Sequence, residues 1–181
     1  METGIKPLHV SHYTFRKDEH LFLDTNIWLS VYGPAAYTTP QSKVYSLALR
    51  KMREAQCIVF IDILVVSEFI NGFARWEHKQ RADTKEFDFK EYRKSSAFKP
   101  VAREIEVNVK NILKQCSRIS SDFMNIDMNQ LLNEFKSGKA DFNDQVIYEI
   151  CKKNDLKLVT DDSDFRYKDI AVLTANQQLF H

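Results

Sequence analysis

Short apolar runs alternate with stretches of helical periodicity along this chain, and that alternation limits it to one broad class of fold. Leu21-Phe22-Leu23 running into Asp24 reads as a short buried strand, residues 57–61 and 156–159 read the same way, and residues 170–173 form a weaker fourth. Helical spacing covers residues 41–56, 63 to about 80, 128–136 and 143–154, the last with Val146, Ile147, Ile150 and Cys151 on one face. Strands separated by helices imply parallel neighbours. The expectation is an α/β fold with a central, mostly parallel sheet of four or five strands flanked by helices.

Residues 75–118 interrupt this rhythm with charged, helical sequence. The segment reads as an insertion of two helices broken near Lys99-Pro100, because the residue before proline disfavours helix. Four glycines and four prolines in 181 residues, with no Ser-rich linker and no repeat, point to one domain over residues 1–181. A hydrophobic content of 44% supports a core and excludes disordered or collagen-like chains. Cys57, Cys116 and Cys151 are widely spaced and lack a C-x-x-C pattern, which supports neither a disulfide framework nor a structural zinc site. The first twenty residues are polar, and the longest apolar stretch, 57–66, is broken by Asp62. The expected setting is therefore the reducing cytoplasm, with no membrane segment.

The net charge of +1 announces no polyanionic partner, but its distribution is uneven. Residues 75–118 hold twelve Lys/Arg against seven Asp/Glu, whereas residues 119–181 hold seven against eleven. A basic helical arm beside an acidic C-terminal third suits an enzyme that grips phosphates with one part and a metal with the other. A solvated helix face accounts for the same charges equally well.

The acids themselves carry the chemistry. Asp24 closes the first strand, and ligands of open parallel sheets bind at the carboxyl ends of strands, although Asp-Thr-Asn is also an ordinary helix cap. Glu68 lies in a helix that is apolar nearly all round, where a charge calls for a partner or a metal; Arg75 is the competing local partner. Asp141 and Asp144 stand three apart in the first turn of a helix, as a capping box or as a two-carboxylate metal platform with Asn143 between them. Asp161, Asp162 and Asp164 follow a buried strand in a cluster more acidic than a turn requires. An EF-hand loop counted from Asp162 would need Gly and Glu where Tyr167 and Leu173 stand.

Asp24, Glu68, Asp144 and Asp162 share one property: each lies at a strand end or in the helix adjoining one. Brought to about 5 Å, each pair of carboxylates repels by roughly 3 kcal/mol at an effective dielectric near 20, so a converged set calls for divalent cations or bound protons. Oxygen-only ligation favours Mg²⁺ or Mn²⁺ over zinc. Phosphodiester hydrolysis by metal-activated water is the chemistry such a site suits.

The ordered set Asp24-Thr25-Asn26, Ser67-Glu68 with Asn71-Gly72, Asp144, and the stretch Thr160-Asp161-Asp162-Ser163-Asp164-Phe165 resembles the PIN-domain family of metal-dependent ribonucleases, VapC-type toxins above all. The resemblance covers roughly residues 18–74 and 128–173. It implies a PIN-like fold, an RNA substrate and a Mg²⁺ or Mn²⁺ cofactor. It makes Asp24, Glu68, Asp144 and Asp162 the catalytic, metal-holding acids, with Asp164, Thr160 and Asn26 in support, while Asp141 matches a family variant with two acids in that helix. It also implies a protein antitoxin and a homodimer, for which Val44, Tyr45, Leu47 and Leu49 offer an apolar face, although a core could claim the same residues.

Arg75, Lys79, Arg81, Lys90, Arg93, Lys94, Lys99 and Arg103 are candidates for phosphate contacts, with Trp76, Tyr92 and Phe98 for base stacking unless they are core. Competing readings are a non-catalytic RNA- or protein-binding module and a DNA nuclease of related architecture. A dehalogenase-like phosphatase would need a second Asp where Asn26 stands.

Overall fold

The structure, a computed structural model, describes residues 5–36, 38–80, 88–138, 141–166 and 168–180. Arg81, one of the cations named above, lies outside the described residues. The strands are β1 (Leu8–His9), β2 (His20–Leu23), β3 (Ile58–Ile61), β4 (Ser117–Arg118), β5 (Lys157–Val159) and β6 (Val172–Thr174). They form one six-stranded sheet in the order β1-β6-β5-β2-β3-β4, and every pairing is parallel. The sheet exceeds the expected four or five strands, and the two beyond the four located in the sequence are the edges β1 and β4. Each is two residues long, too short to carry any period in the sequence.

Among the described residues seven α-helices flank the sheet: α1 (Thr25–Tyr32), α2 (Pro40–Glu54), α3 (Ile63–Gln80), α4 (Phe89–Lys94), α5 (Phe98–Leu113), α6 (Met128–Lys136) and α7 (Phe142–Lys153). Central β2 buries Leu21, Phe22 and Leu23 completely between the helical layers, which is why its sequence is continuously apolar. Trp28 of α1 and Phe69 and Phe73 of α3 fill the core beside it.

Two expectations need correction. The insertion breaks at residues 95–97 rather than at Lys99-Pro100, because Pro100 sits in the first turn of α5, where the missing N–H would have had no helical partner. Residues 75–80 belong to the last turns of α3, the helix that also carries Glu68. The face suggested for dimerisation is largely core: Tyr45 and Leu49 are buried and Val44 packs against the core, which leaves Leu47 exposed. In the arm, Tyr92 is buried and stacks edge-on with Phe98, so Tyr92 is packing rather than a platform for bases, while Trp76 stays exposed.

No helix among the described residues is long and apolar enough to cross a membrane.

Candidate metal centre

Parallel pairing brings the carboxyl ends of β2, β3 and β5 to one edge of the sheet. Leu23 is level with Val159, and the Asp24 amide donates to the Val159 carbonyl at 3.0 Å, so Asp24 and Thr160 leave the sheet side by side. Asp24 is the N-cap of α1, with Oδ1 accepting from the Thr25 amide at 2.6 Å. Its Oδ2 accepts from Asn26 Nδ2 at 2.6 Å and from the Thr160 hydroxyl at 2.7 Å. The capping role and the site role therefore fall on one side chain, and neither reading of the sequence excludes the other.

The loop after β5 is tied to the same point. Thr160 Oγ1 accepts from the Asp162 amide at 3.0 Å, Asn26 Oδ1 accepts from the Asp161 amide at 3.1 Å, and Asp162 Oδ1 accepts from the Asp164 amide at 2.9 Å. Asp162 is half-buried and faces the cluster, whereas Asp164 is exposed.

Glu68 lies in the second turn of α3. Buried Asp62 starts that helix by accepting from the Leu64 amide at 2.8 Å and from the Ser121 amide at 2.9 Å. The Glu68 carboxylate accepts from the Thr25 hydroxyl at 2.7 Å through Oε2 and from Asn143 Nδ2 through Oε1. Arg75, the partner that local spacing suggested, instead rests its guanidinium 4.6 Å over the Phe89 ring. On α7, exposed Asp141 is the N-cap, accepting from the Asn143 amide at 2.8 Å, while Asp144 is half-buried and turned towards the other acids.

Two of these acids, Asp24 and Asp144, have pKa values raised by burial and by the charge of the others. Asp24 is only 5% exposed, and its burial pushes its pKa up to about 6. Hydrogen bonds from Thr160 and Thr25 pull it down, and the charges of Glu68 and Asp162 push it up. Asp144 rises to about 8, through burial first and then through Asp162, Asp24, Asp141 and Asp164. Among the described residues no three His, Cys, Asp or Glu side chains stand as a preset metal cage. Both oxygens of Asp24 and both of Glu68 accept hydrogen bonds from donors of the chain itself. The donor set is all oxygen, desolvated and anionic, which suits a hard divalent cation.

Sequence reasoning missed two supports of this site. Tyr45, on α2, is buried and its hydroxyl donates to Asp161 Oδ1 at 2.6 Å while accepting from the Ala175 amide at 2.9 Å. Burial, and then the Asp161 carboxylate, hold that phenol well above its ordinary pKa. Asn176 Nδ2 donates to the Asp161 carbonyl at 2.7 Å from beyond β6. The only sequence signal for Tyr45 was a polar atom on an otherwise apolar face.

A family model for the PIN domain matches residues 21–171. The chain belongs to the PIN domain family. PIN domains are generally nucleases and usually use divalent metal ions, in keeping with the acid set at the edge of this sheet. Two solved structures share the fold. VapBC2 from Rickettsia felis, bound to a DNA fragment from its promoter, is 15% identical with a TM-score of 0.54, over 85% of this chain and 97% of that one. PAE2754 from Pyrobaculum aerophilum is 11% identical with a TM-score of 0.50, over 99% of this chain and 95% of that one. No curated protein matches the chain.

Proposed function

We propose that this PIN domain is a divalent-metal-dependent endoribonuclease that hydrolyses RNA phosphodiester bonds, of the VapC toxin type, with residues 75–118 as the helical arm of a single domain. The observation that carries this reading is the hydrogen-bond net at the carboxyl edge of the sheet: Thr25 bonds both Asp24 and Glu68, Thr160 bonds Asp24 and the Asp162 amide, and Asn143, next to Asp144, bonds Glu68. Asp24, Glu68, Asp144 and Asp162 would hold Mg²⁺ or Mn²⁺, with Asp141 and Asp164 at the margin. A bound ion supplies Lewis acidity that makes water a nucleophile at neutral pH and offsets charge on the leaving oxygen.

The chain's own residues prepare the site. Asn26 and Thr160 fix Asp24 Oδ2, and Thr25 and Asn143 fix both oxygens of Glu68, so these carboxylates lose little freedom on binding an ion. Asp144, held at about 8, keeps at neutral pH a proton that positive charge in the site displaces.

For the substrate, Arg75, Lys79, Lys90, Arg93, Lys94, Lys99 and Arg103 are all exposed and can meet phosphates, and exposed Trp76 can meet a base. The likeness to VapBC2 extends the reading to a protein antitoxin as partner, and exposed Leu47 leaves room for a homodimer contact.

The test is to incubate matched RNA and DNA strands with Mn²⁺, Mg²⁺ or EDTA. Metal-dependent shortening of RNA is expected. Shortening of DNA alone would transfer the substrate, and RNA binding that persists in EDTA with no cleavage under any condition would leave a binding module.

A further inference from the structure

Beside the carboxylates lies a concavity of about 430 Å³ that the acid chemistry does not use. Ile63, Leu64, Phe123, Phe142 and Val146 form its apolar walls, and Ser67, Ser121 and Asn143 add polar groups. Asn143 joins the two places, since it lines the concavity and donates to Glu68. Whatever enters the concavity therefore lies next to the acids.

The wall carrying Phe123 is costly for the fold and yet firmly held. Phe123 is 66% exposed, its neighbour Met124 is 90% exposed and Ile63, which also lines the concavity, is 75% exposed, so large apolar surface faces water here. Asp122, just before Phe123, has φ 52° and ψ 48°, a left-handed conformation that Asp adopts more readily than most residues with a Cβ. That conformation is fixed by Asn125 Nδ2, which donates to both Asp122 oxygens at 2.9 and 3.0 Å, and by the Lys153–Asp122 ion pair. The Ser121 amide anchors the segment to buried Asp62 at 2.9 Å. An aromatic ring is thus presented in the wall of the concavity by a turn held through its neighbours.

We infer that this concavity receives one nucleobase of the RNA strand, stacked on Phe123 and hydrogen-bonded at its edge by Ser67, Ser121 or Asn143. The inference rests on the proposed phosphodiester chemistry at the neighbouring carboxylates. A strand whose phosphate lies at the acids carries its bases one sugar away, within reach of a pocket that shares Asn143. The volume suits a planar ring with its ribose and water. Aromatic faces stack on any base, whereas serine hydroxyls and a side-chain amide can discriminate base edges. A base within a duplex is stacked and paired and cannot enter.

The test uses the full chain, fluorescence anisotropy in EDTA, and a labelled mixed-sequence oligoribonucleotide either single-stranded or annealed to its complement. The same strand carrying 2-aminopurine reports stacking by quenching. The wild type should prefer the single strand and quench 2-aminopurine; Phe123→Ala should lose about tenfold in single-strand affinity and the quenching, and Phe123→Tyr should keep both. Phe123 is exposed, so circular dichroism of the variants should match the wild type. Unchanged single-strand affinity in Phe123→Ala, or absence of 2-aminopurine quenching in the wild type, overturns the proposal and leaves the surface to a protein partner. Stacking that is present while no metal supports cleavage keeps the pocket and removes the nuclease reading, so the two failures are distinct.

Discussion

Thr160 Oγ1 donates to Asp24 and accepts from the Asp162 amide, so one hydroxyl fixes two of the four acids relative to each other. Thr160 is fully buried, and valine of the same shape would leave Asp24 Oδ2 and the Asp162 N–H each short of a partner. Thr160→Val is expected to cost about 1–3 kcal/mol in urea unfolding. It also removes a hydrogen bond that pulls the Asp24 pKa down, so the acidic limb of the metal-dependent cleavage profile should move to higher pH. The acids were legible in the sequence because each closes or follows an apolar run. The partners that aim them were not: Tyr45 reaches Asp161 across 116 residues, and nothing near Tyr45 in the sequence marks that contact.

At the scale of elements, the buried strands β2, β3 and β5 and the helices α3, α6 and α7 stand close to where periodicity put them. The turns that enter the strands were harder to read. Asp18, Gln56 and Asp155 hold positive φ of 59°, 60° and 50° just before β2, β3 and β5, positions where glycine is the usual signal. Edge strands β1 and β4 draw their pairing from neighbours rather than from their own two residues. Tyr45 joins three places in the fold, clamping the loop after β5 to α2 and to the residue after β6. Tyr45→Phe should destabilise the chain by about 1 kcal/mol and speed hydrogen exchange at the Ala175 and Asp161 amides more than elsewhere. Uniform exchange would show that the clamp is not needed.

For the whole molecule, the buried acids link stability to pH. Asp24 at about 6 and Asp144 at about 8 keep protons over a range in which the unfolded chain, with carboxyls near 3.8, has released them. The folded state binds more protons there, so stability present at low pH is lost as pH rises from about 4 to 8. In EDTA the melting temperature should fall between pH 5.5 and 8.5, and Mn²⁺ should restore it at the upper end. An Asp144→Asn variant should melt with a flatter pH dependence and respond less to Mn²⁺. A wild-type melting temperature insensitive to both pH and Mn²⁺ would mean that the acids are solvated separately.

The central claim is that these carboxylates form one hydrolytic centre. The most direct measurement is the rate at which purified chain cleaves a mixed RNA pool with Mn²⁺, beside Asp24→Asn prepared identically and matched by circular dichroism. Asparagine keeps an acceptor for Thr160 but removes the charge. Cleavage by the wild type that is lost in EDTA and reduced to background in the variant is the predicted result, whereas equal rates in the two proteins, or wild-type cleavage that persists in EDTA, would contradict the account.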